Sequence, residues 1–479
     1  MKYKLFVEEP KDIEDIFEAI LKSLQKIDFL GAKYPDATPE TRAKLKVDND
    51  DRCTIICDEL IKQAQKVDWN FARVQEQNYV YNGCYWKRIE DGAIKNFASK
   101  CAIALGVNHV AARNQKFVES LYKQFCVSAF FKEVRYNAER VAINLKNGTF
   151  LISENQSTLV PFSEKDFLTY QLPFDYDPDA KCPKFDKFLA EVQPEQKARD
   201  VLAEYIGYCF LRGNQLKLEK CLVLNGGGSN GKSVFYDVIT ALFGVENTSS
   251  ISLHQLTDDS GYYRAFLVGK LVNYSSEIDK LMNSDMFKQM VSGEPITARN
   301  PYGKVFELTN YAKLIFNSNT LPNAENTTAY FRRLLVVPFR VEIPKAQRNK
   351  RLAQQIIKSG ELSGIFNWAL AGLKRVLQNE EFSDSAEVDS AIQEYKVEND
   401  NVLSFCEYEN FVKDDSEKIL FRTVFGKYKE YCHENNLKPC SSKTFSKRLK
   451  LAGFEDIKNS DIYIFGKFSD AVPAPNLPF

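Results

Sequence analysis

Cys221-Leu-Val-Leu-Asn-Gly-Gly-Gly-Ser-Asn-Gly-Lys-Ser233 is the stretch from which the rest of the chain is read. Its apolar start suits a buried parallel strand, and it feeds the pattern Gly226-x-x-x-x-Gly231-Lys232-Ser233. An amphipathic helix follows, with Val234, Phe235, Val238, Ile239, Leu242 and Phe243 on one side and Gly244 at its end. Strand, glycine loop and helix in that order turn the pattern into a phosphate-binding loop. Glycines permit dihedrals that turn several N–H groups inward, and the helix N-terminus adds partial positive charge. The expected cradle for ATP is Gly226, Gly227, Gly228, Ser229, Asn230, Gly231, Lys232 and Ser233. Lys232 can reach the β and γ phosphates, and the Ser233 hydroxyl can ligate Mg²⁺.

A phosphate loop needs an acid on a second strand, and Gly269-Lys-Leu-Val-Asn-Tyr-Ser-Ser-Glu277 supplies one. Glu277 is placed to polarise the attacking water or to hold the Mg²⁺ shell. Downstream, Ala312-Lys-Leu-Ile-Phe-Asn-Ser-Asn319 reads as a strand with a polar tip, and Asn319 can orient the lytic water. Arg332 and Arg333 then precede the apolar strand Leu335-Val-Val-Pro-Phe. An arginine supplied in trans stabilises charge on a transferring phosphoryl group. Singly, a strand-end glutamate, an Asn-Ser-Asn turn and an Arg-Arg pair are ordinary surface features. Their order behind a phosphate loop favours function.

Bulk properties set the frame. A chain of 479 residues suggests about three domains at roughly 150 residues each. Lys+Arg and Asp+Glu balance at 64 each, so any basic surface must be local. The charged start Met1-Lys-Tyr-Lys has no signal-peptide character, and eleven scattered cysteines fit a reducing, cytoplasmic compartment. Cys53 and Cys57 stand one helical turn apart, but a zinc site needs further ligands, and His109, His254, His433 and Cys84 stand alone. No apolar run reaches the roughly 20 residues of a membrane span, so no membrane partner is expected.

Helix-like spacing dominates up to about residue 75, for example Ile13, Ile16, Phe17, Ile20, Leu21 and Leu24. A hairpin turning at Asn82-Gly83 is predicted as type I′, and a second β unit surrounds Lys146-Asn147-Gly148. A helix over 195–211 leads into the central region, two more cover 346–358 and 361–378, and the acidic stretch 380–389 reads as a linker. Beyond it Ile419–Asn435 forms one helix, Ser441 or Ser442 caps a second ending at Gly453, and residues 454–457 pair with 462–465 as a wing. The expected division is a helical region over 1–75, an α+β domain over 76–195, the ATPase over 196–380, and a winged-helix domain with a tail over 381–479.

With these motifs in hand, residues 205–340 resemble the superfamily 3 helicase domain, an AAA+ ATPase, as found in the C-terminal half of phage, plasmid and poxvirus primase-helicases. The fold implied is α/β, an AAA+ P-loop core between a mixed α+β and helical N-terminal region and a C-terminal winged helix. The resemblance makes Gly226–Ser233 the Walker A motif, Glu277 the Walker B acid, Asn319 the sensor asparagine, and Arg332 or Arg333 the arginine finger. It places a DNA-gripping hairpin in the stretch holding Arg299, Tyr302 and Lys304. It extends over 79–470, through segments such as Leu172-Pro-Phe-Asp-Tyr-Asp-Pro and Tyr205-Ile-Gly-Tyr. Two departures stand out. Ser276 occupies the position where family members often have a second acid, and no Asp-x-Asp/Glu with a downstream His marks a primase module.

Lysine and arginine neutralise phosphates and an aromatic ring stacks on bases, so Arg299, Tyr302 and Lys304 suit a single-stranded or forked DNA partner. Lys443, Lys447, Arg448 and Lys450 crowd the second C-terminal helix beside Lys458 of the wing, an arrangement that meets duplex DNA. The leading expectation is a replicative DNA helicase of a phage or mobile element, with ATP and Mg²⁺ as cofactors. It should act as a homo-hexameric ring, with a separate primase or initiator as partner. The resemblance implies 3′→5′ movement. The rival readings are an origin-binding ATPase switch and a complete primase-helicase.

Overall fold

The computed structural model describes residues 10–67, 69–74, 76–129, 140–153, 156–213, 215–276, 278, 283–300, 304–322, 327–458 and 461–469. Glu277 and Tyr302 lie outside them. The helices Ile13–Ser23 and Asn49–Lys66 open the described chain. The second starts at a reciprocal cap: Asp48 accepts from the Asp51 amide at 2.8 Å while Asp51 accepts from the Asp48 amide at 3.1 Å. Strands β1 (Phe71–Val74), β2 (Gln77–Tyr81) and β3 (Trp86–Ile89) form an antiparallel sheet, and the helices Asp91–Ala104 and Gln115–Ser128 follow. Ile16, Ile56, Phe97 and Leu121 belong to one buried cluster, so residues on both sides of position 75 share a core.

The Asn82-Gly83 turn departs from the type I′ expectation. Tyr81 pairs with Trp86, so the connection has four residues, 82–85. The Asn82 carboxamide oxygen accepts from the amides of Cys84 at 3.0 Å and Tyr85 at 2.8 Å. An asparagine that satisfies two successive amides in this way closes a longer loop by itself. The β unit expected around Lys146-Asn147-Gly148 is present: β4 (Arg140–Leu145) and β5 (Gly148–Ser153) pair from Leu145 opposite Gly148 across a two-residue connection, and β6 (Gln156–Val160) adds a third strand.

The site rests on a five-stranded sheet among the described residues. Its strands are β7 (Cys221–Asn225), β8 (Thr248–Ser249), β9 (Val272–Ser275), β12 (Lys313–Ser318) and β13 (Leu334–Pro338), all parallel, in the order β13-β7-β12-β9-β8. A parallel sheet is covered on both faces, and the period-2 alternation divides its residues between two cores. Leu222, Leu224, Leu335, Val337 and Ile315 face the core that holds the Lys232–Phe243 helix and the helices Pro183–Val192, Gln196–Tyr208 and Leu362–Asn379. Cys221, Val223, Leu334, Val336 and Phe316 face the other core, with the helices Ser284–Ser292 and Ala386–Glu398. The antiparallel hairpin β10 (Ile296–Arg299) and β11 (Val305–Leu308) projects between β9 and β12 in the chain.

The acidic stretch read as a linker is held down. Glu204, fully buried, accepts from Arg375 Nε at 2.8 Å, from the Ser383 amide at 2.8 Å and from the Ser383 hydroxyl at 2.7 Å. Ser385 donates to Glu195 at 2.5 Å and caps the Ala386–Glu398 helix, whose Ala391 and Tyr395 are buried in the core on β13. The periodic apolar residues Val388, Ala391 and Tyr395 outweigh the acidic composition that suggested a linker. The C-terminal unit then packs the helices Asn401–Tyr408, Phe421–Glu434 and Ser442–Leu451 with β15 (Lys418–Leu420), β16 (Asp456–Lys458) and β17 (Ile462–Phe465), while β14 (Phe411–Val412) pairs with β18 (Lys467–Phe468). Ile419 and Leu420 thus lie in a strand and not in the following helix.

Glu204→Ala should lower the unfolding free energy by about 2 kcal/mol in urea titration. That is less than the loss of a fully buried pair, because Arg375 keeps partial solvent access. A loss below about 0.5 kcal/mol, typical of a surface substitution, would mean that Ser383 and Arg375 do not depend on this carboxylate.

Candidate nucleotide site and nucleic-acid surface

The phosphate loop is anchored at the C-terminal end of β7 by its two neighbours. The Gly226 amide donates to the Ser318 carbonyl at 3.1 Å, and the Phe339 amide donates to the Asn225 carbonyl at 2.6 Å. A Cβ on Gly226 would lie 2.3 Å from the Phe339 carbonyl oxygen, so only glycine fits there. Gly231 takes φ of +91° and lies against Val192, where a Cβ would come within 2.7 Å of a methyl group. Asn230 is buried and donates to the carbonyls of Gly227 at 2.5 Å and Phe339 at 3.0 Å. The Ser229 carbonyl accepts from the Ile343 amide at 2.9 Å.

Lys232 begins the helix and is only 6% exposed. Its ammonium donates to the carbonyls of Gly226 at 2.5 Å and Gly227 at 3.1 Å and to Asn230 Oδ1 at 3.1 Å. Three donors thereby meet three oxygens. Burial pulls the Lys232 pKa down, since desolvation disfavours its charge. Ser233, the next residue, is exposed at the helix N-terminus. These groups fit a bound polyphosphate with its cation: a charged amine on loop oxygens, a free hydroxyl, and open space above Gly227 and Gly228.

Beside the loop lies a cleft of about 480 Å³, bounded by the loop itself, by Phe188 and Val192, and by Ile343, Pro344 and Leu352. Arg348 lines it as well. These wall residues escape a sequence reading, because they come from helices and turns far from the motif and carry no distinctive chemistry. Only packing brings them together.

β12 lies between β7 and β9, so its tip stands between the phosphate loop and the strand that leads to Glu277. Asn319 is exposed at that tip, directly after the Ser318 carbonyl that binds Gly226. Ser276 is exposed at the end of β9. The paired arginines lie at the opposite end of the sheet, ahead of β13, where the Arg333 carbonyl accepts from the first amide of β7 at 2.8 Å. They also separate in role. Arg333 is buried, donating to the Ala329 carbonyl at 2.8 Å and to the Ser292 hydroxyl at 3.0 and 3.2 Å, so its guanidinium is taken up by the fold. Arg332 is 53% exposed and pairs with Glu219 at 2.8 Å.

The β10–β11 hairpin carries Arg299 and Lys304 on either side of its tip, and Lys304 is exposed. The Arg299 guanidinium lies 5.6 Å from the ring centre of Tyr262, and its amide donates to the Gly261 carbonyl at 3.1 Å. Arg264, 2% exposed, locks that neighbouring segment to the hairpin through the carbonyls of Thr297 at 2.7 Å, Leu256 at 3.0 Å and Asp258 at 2.6 Å. The result is an exposed apolar group next to Arg299: Phe266 at 58% and Val305 at 61%, with Tyr262 and Tyr263 each at 37%. The sequence Gly261-Tyr-Tyr-Arg-Ala-Phe266 carried a usable signal, clustered aromatics with one arginine, that the motif reading passed over.

In the C-terminal unit Lys443, Lys447 and Lys458 are exposed. Lys450 forms a surface pair with Asp456 at 2.8 Å. Arg448 departs from the expected DNA-facing set, since it turns inward to Asp400 at 3.1 Å and Asn401 at 3.2 Å. Asp400 also caps the Asn401–Tyr408 helix, and an inward arginine there compensates its carboxylate. Cys53 and Cys57 are buried in the N-terminal core, where burial pushes the Cys53 thiol up to about 11. Among the described residues no group of three or more His, Cys, Asp or Glu is placed to hold a metal ion, and no helix is long and apolar enough to cross a membrane.

Three family models match. Residues 54–194 match D5 N terminal like, residues 224–333 match a family of unknown function (DUF5906), and residues 397–467 match Poxvirus D5 protein-like. No curated protein matches the chain. Among solved structures, the apo C-terminal region of NrS-1 aligns at 13% identity with a TM-score of 0.48, over 85% of this chain and 98% of that one. An A-form apo structure of the same region aligns at 12% identity with a TM-score of 0.44, over 70% of this chain and 74% of that one. The chain is thus similar to D5-type proteins on both flanks of the segment 224–333, which itself matches a family of unknown function.

Proposed function

We propose that the chain is the ATP-driven motor of a replicative DNA helicase, working as a ring in which neighbouring copies complete each other's sites. The observation that carries this reading is the placement of Lys232 and Arg332 at opposite ends of one parallel sheet. Five residues of strand span about 16 Å, so Arg332 is out of reach of its own phosphate loop. A head-to-tail contact brings it to the next copy's loop, and such contacts close into rings, six copies being the expected number.

On this reading the phosphates of ATP replace the loop carbonyls as partners of Lys232, and the cleft walls take the two faces of the base. The Ser233 hydroxyl and, through water, Glu277 are the groups that would hold Mg²⁺, which neutralises charge on the β and γ phosphates. With Ser276 in place of a second acid, Ser233 carries more of that role. Asn319 orients the lytic water from the tip between loop and acid. Arg332 of a neighbouring copy meets the charge on the transferring phosphoryl. The strand order supports the AAA+ reading, because the strand between the loop and the acid is the one that bears Asn319.

DNA is the load. Lys304 and Arg299 supply positive charge, and Phe266, Tyr262 and Tyr263 supply flat faces for unpaired bases. Two helices followed by a hairpin support a winged-helix reading of the C-terminal unit, with Lys443, Lys447 and Lys458 toward duplex DNA. The site of action is the host-cell cytoplasm, with a primase or initiator supplied by another protein.

Lys232→Ala and Arg332→Ala should each cut ATP turnover by about 10³-fold. Mixed in equal amounts and reassembled, the two inactive variants should regain turnover, since about a quarter of head-to-tail interfaces then pair an intact loop with an intact arginine. A mixture that assembles and stays inactive would remove Arg332 from the neighbour's site. Phe266→Ala should weaken single-stranded DNA binding by about tenfold, the loss of one stacked base, read by fluorescence anisotropy at fixed salt. Lys304→Ala should keep basal ATP hydrolysis but lose its stimulation by DNA and the displacement of a forked strand. Normal unwinding by both variants would move the DNA path elsewhere, and ATP turnover by the unaltered protein without any strand displacement would favour an ATPase switch.

A further inference from the structure

Tyr395 lies far along the chain from the site, on the Ala386–Glu398 helix that follows the segment pinned by Glu204. It is 2% exposed, and its hydroxyl donates to the Pro322 carbonyl at 2.5 Å. Pro322 is three residues beyond Asn319, and the intervening Leu321 packs against the same core. The Tyr395 hydroxyl also stands 3.5 Å from that of Tyr330, and its ring meets Phe331 edge-on with centroids 5.4 Å apart. Tyr330 and Phe331 are the two residues immediately before Arg332. One buried side chain therefore touches the loop of Asn319 and the turn of Arg332 together. A buried phenol needs a hydrogen-bond partner, and a backbone carbonyl of the Asn319 loop provides it.

We propose that Tyr395 is a positioning residue that ties the Asn319 loop of one site to the Arg332 presented to the neighbouring site. Asn319 stands beside the γ-phosphate position of its own copy, whereas Arg332 serves the next. A shift of the Asn319 loop on nucleotide binding moves Pro322, the Tyr395 hydroxyl holds the loop to the helix, and the ring carries the displacement to Phe331 and Arg332. The far end of the same helix enters the C-terminal unit through Asp400, which Arg448 and the cap of the next helix hold. The post is thus continuous with the unit that carries Lys443 and Lys447.

This inference rests on the ATPase reading of Asn319 and Arg332, and the test separates the two. Tyr395→Phe keeps the ring against Phe331 and removes the hydroxyl, with its bond to Pro322 and its 3.5 Å contact to the Tyr330 hydroxyl. Turnover by the unaltered protein reports on the ATPase reading, and the ratio of variant to unaltered protein reports on Tyr395. Expected for Tyr395→Phe are a nucleotide affinity within about twofold of the unaltered protein, measured with a fluorescent ATP analogue, and a kcat lowered by about tenfold with KM little changed. The Hill coefficient for ATP should fall toward one. Glu394→Gln, which removes an exposed pair with Arg340 from the same helix, is the control for simple loosening and should leave kcat and the Hill coefficient unchanged. Tyr395→Phe with an unaltered kcat and Hill coefficient would overturn the proposal. So would an equal loss in Glu394→Gln, since that would reduce the effect to the stability of the helix.

Discussion

Gly226 and Phe339 meet where two adjacent parallel strands end, and the distance between them shapes the loop above. A side chain on Gly226 would collide with the Phe339 carbonyl, so the loop can be drawn tight over the end of β7 only with glycine there. The same carbonyl accepts from Asn230, and Asn230 in turn supplies one of the three oxygens under Lys232. The lysine position therefore follows from backbone packing at the sheet end. The loop is held to its neighbouring strands by the fold itself, through the carbonyls of Ser318 and Phe339.

Parallel strands impose a polarity that the rest of the site inherits. Loops that leave the C-terminal ends of β7, β9 and β12 gather on one edge of the sheet, and this is why the phosphate loop, Ser276 and Asn319 converge. Whatever enters β13 from its N-terminal end must lie on the opposite edge, and Arg332 does. The two arginines then divide by burial. Arg333 is absorbed by Ser292 and the Ala329 carbonyl, while Arg332 keeps an exposed guanidinium held by Glu219. Glu219 is only 29% exposed and also stands 3.8 Å from Arg333, so one carboxylate orients the exposed arginine beside the buried one.

The unit beyond the sheet is joined to it by buried polar contacts as well as by apolar packing. Glu204 fixes the segment at Ser383, Ser385 starts the next helix, and Tyr395 of that helix ends between Pro322 and Phe331. Glu204, Ser385 and Tyr395 are each buried with a partner in place, and a partly satisfied network there would be costly. The connection from the parallel sheet to the C-terminal unit is for that reason a fixed geometry over the described residues.

The phosphate loop, the strands around it and the basic C-terminal helix could be read from residue order alone, because each depends on local periodicity or on a motif whose spacing is set by backbone geometry. Asn319 could be read in the same way as a polar residue closing an apolar strand. Tertiary structure decided everything that depends on which groups meet across the chain. It separated Arg332 from Arg333, turned Arg448 inward to Asp400, and made a packed helix out of an acidic stretch. It also assembled two surfaces that local sequence hardly marks: the cleft walls at Phe188, Val192 and Ile343, and the exposed aromatics beside Arg299. The reason is the same in each case: charge and hydrophobicity are properties of a residue, whereas burial and partnership are properties of its neighbours, and those are chosen by packing between segments distant in the chain.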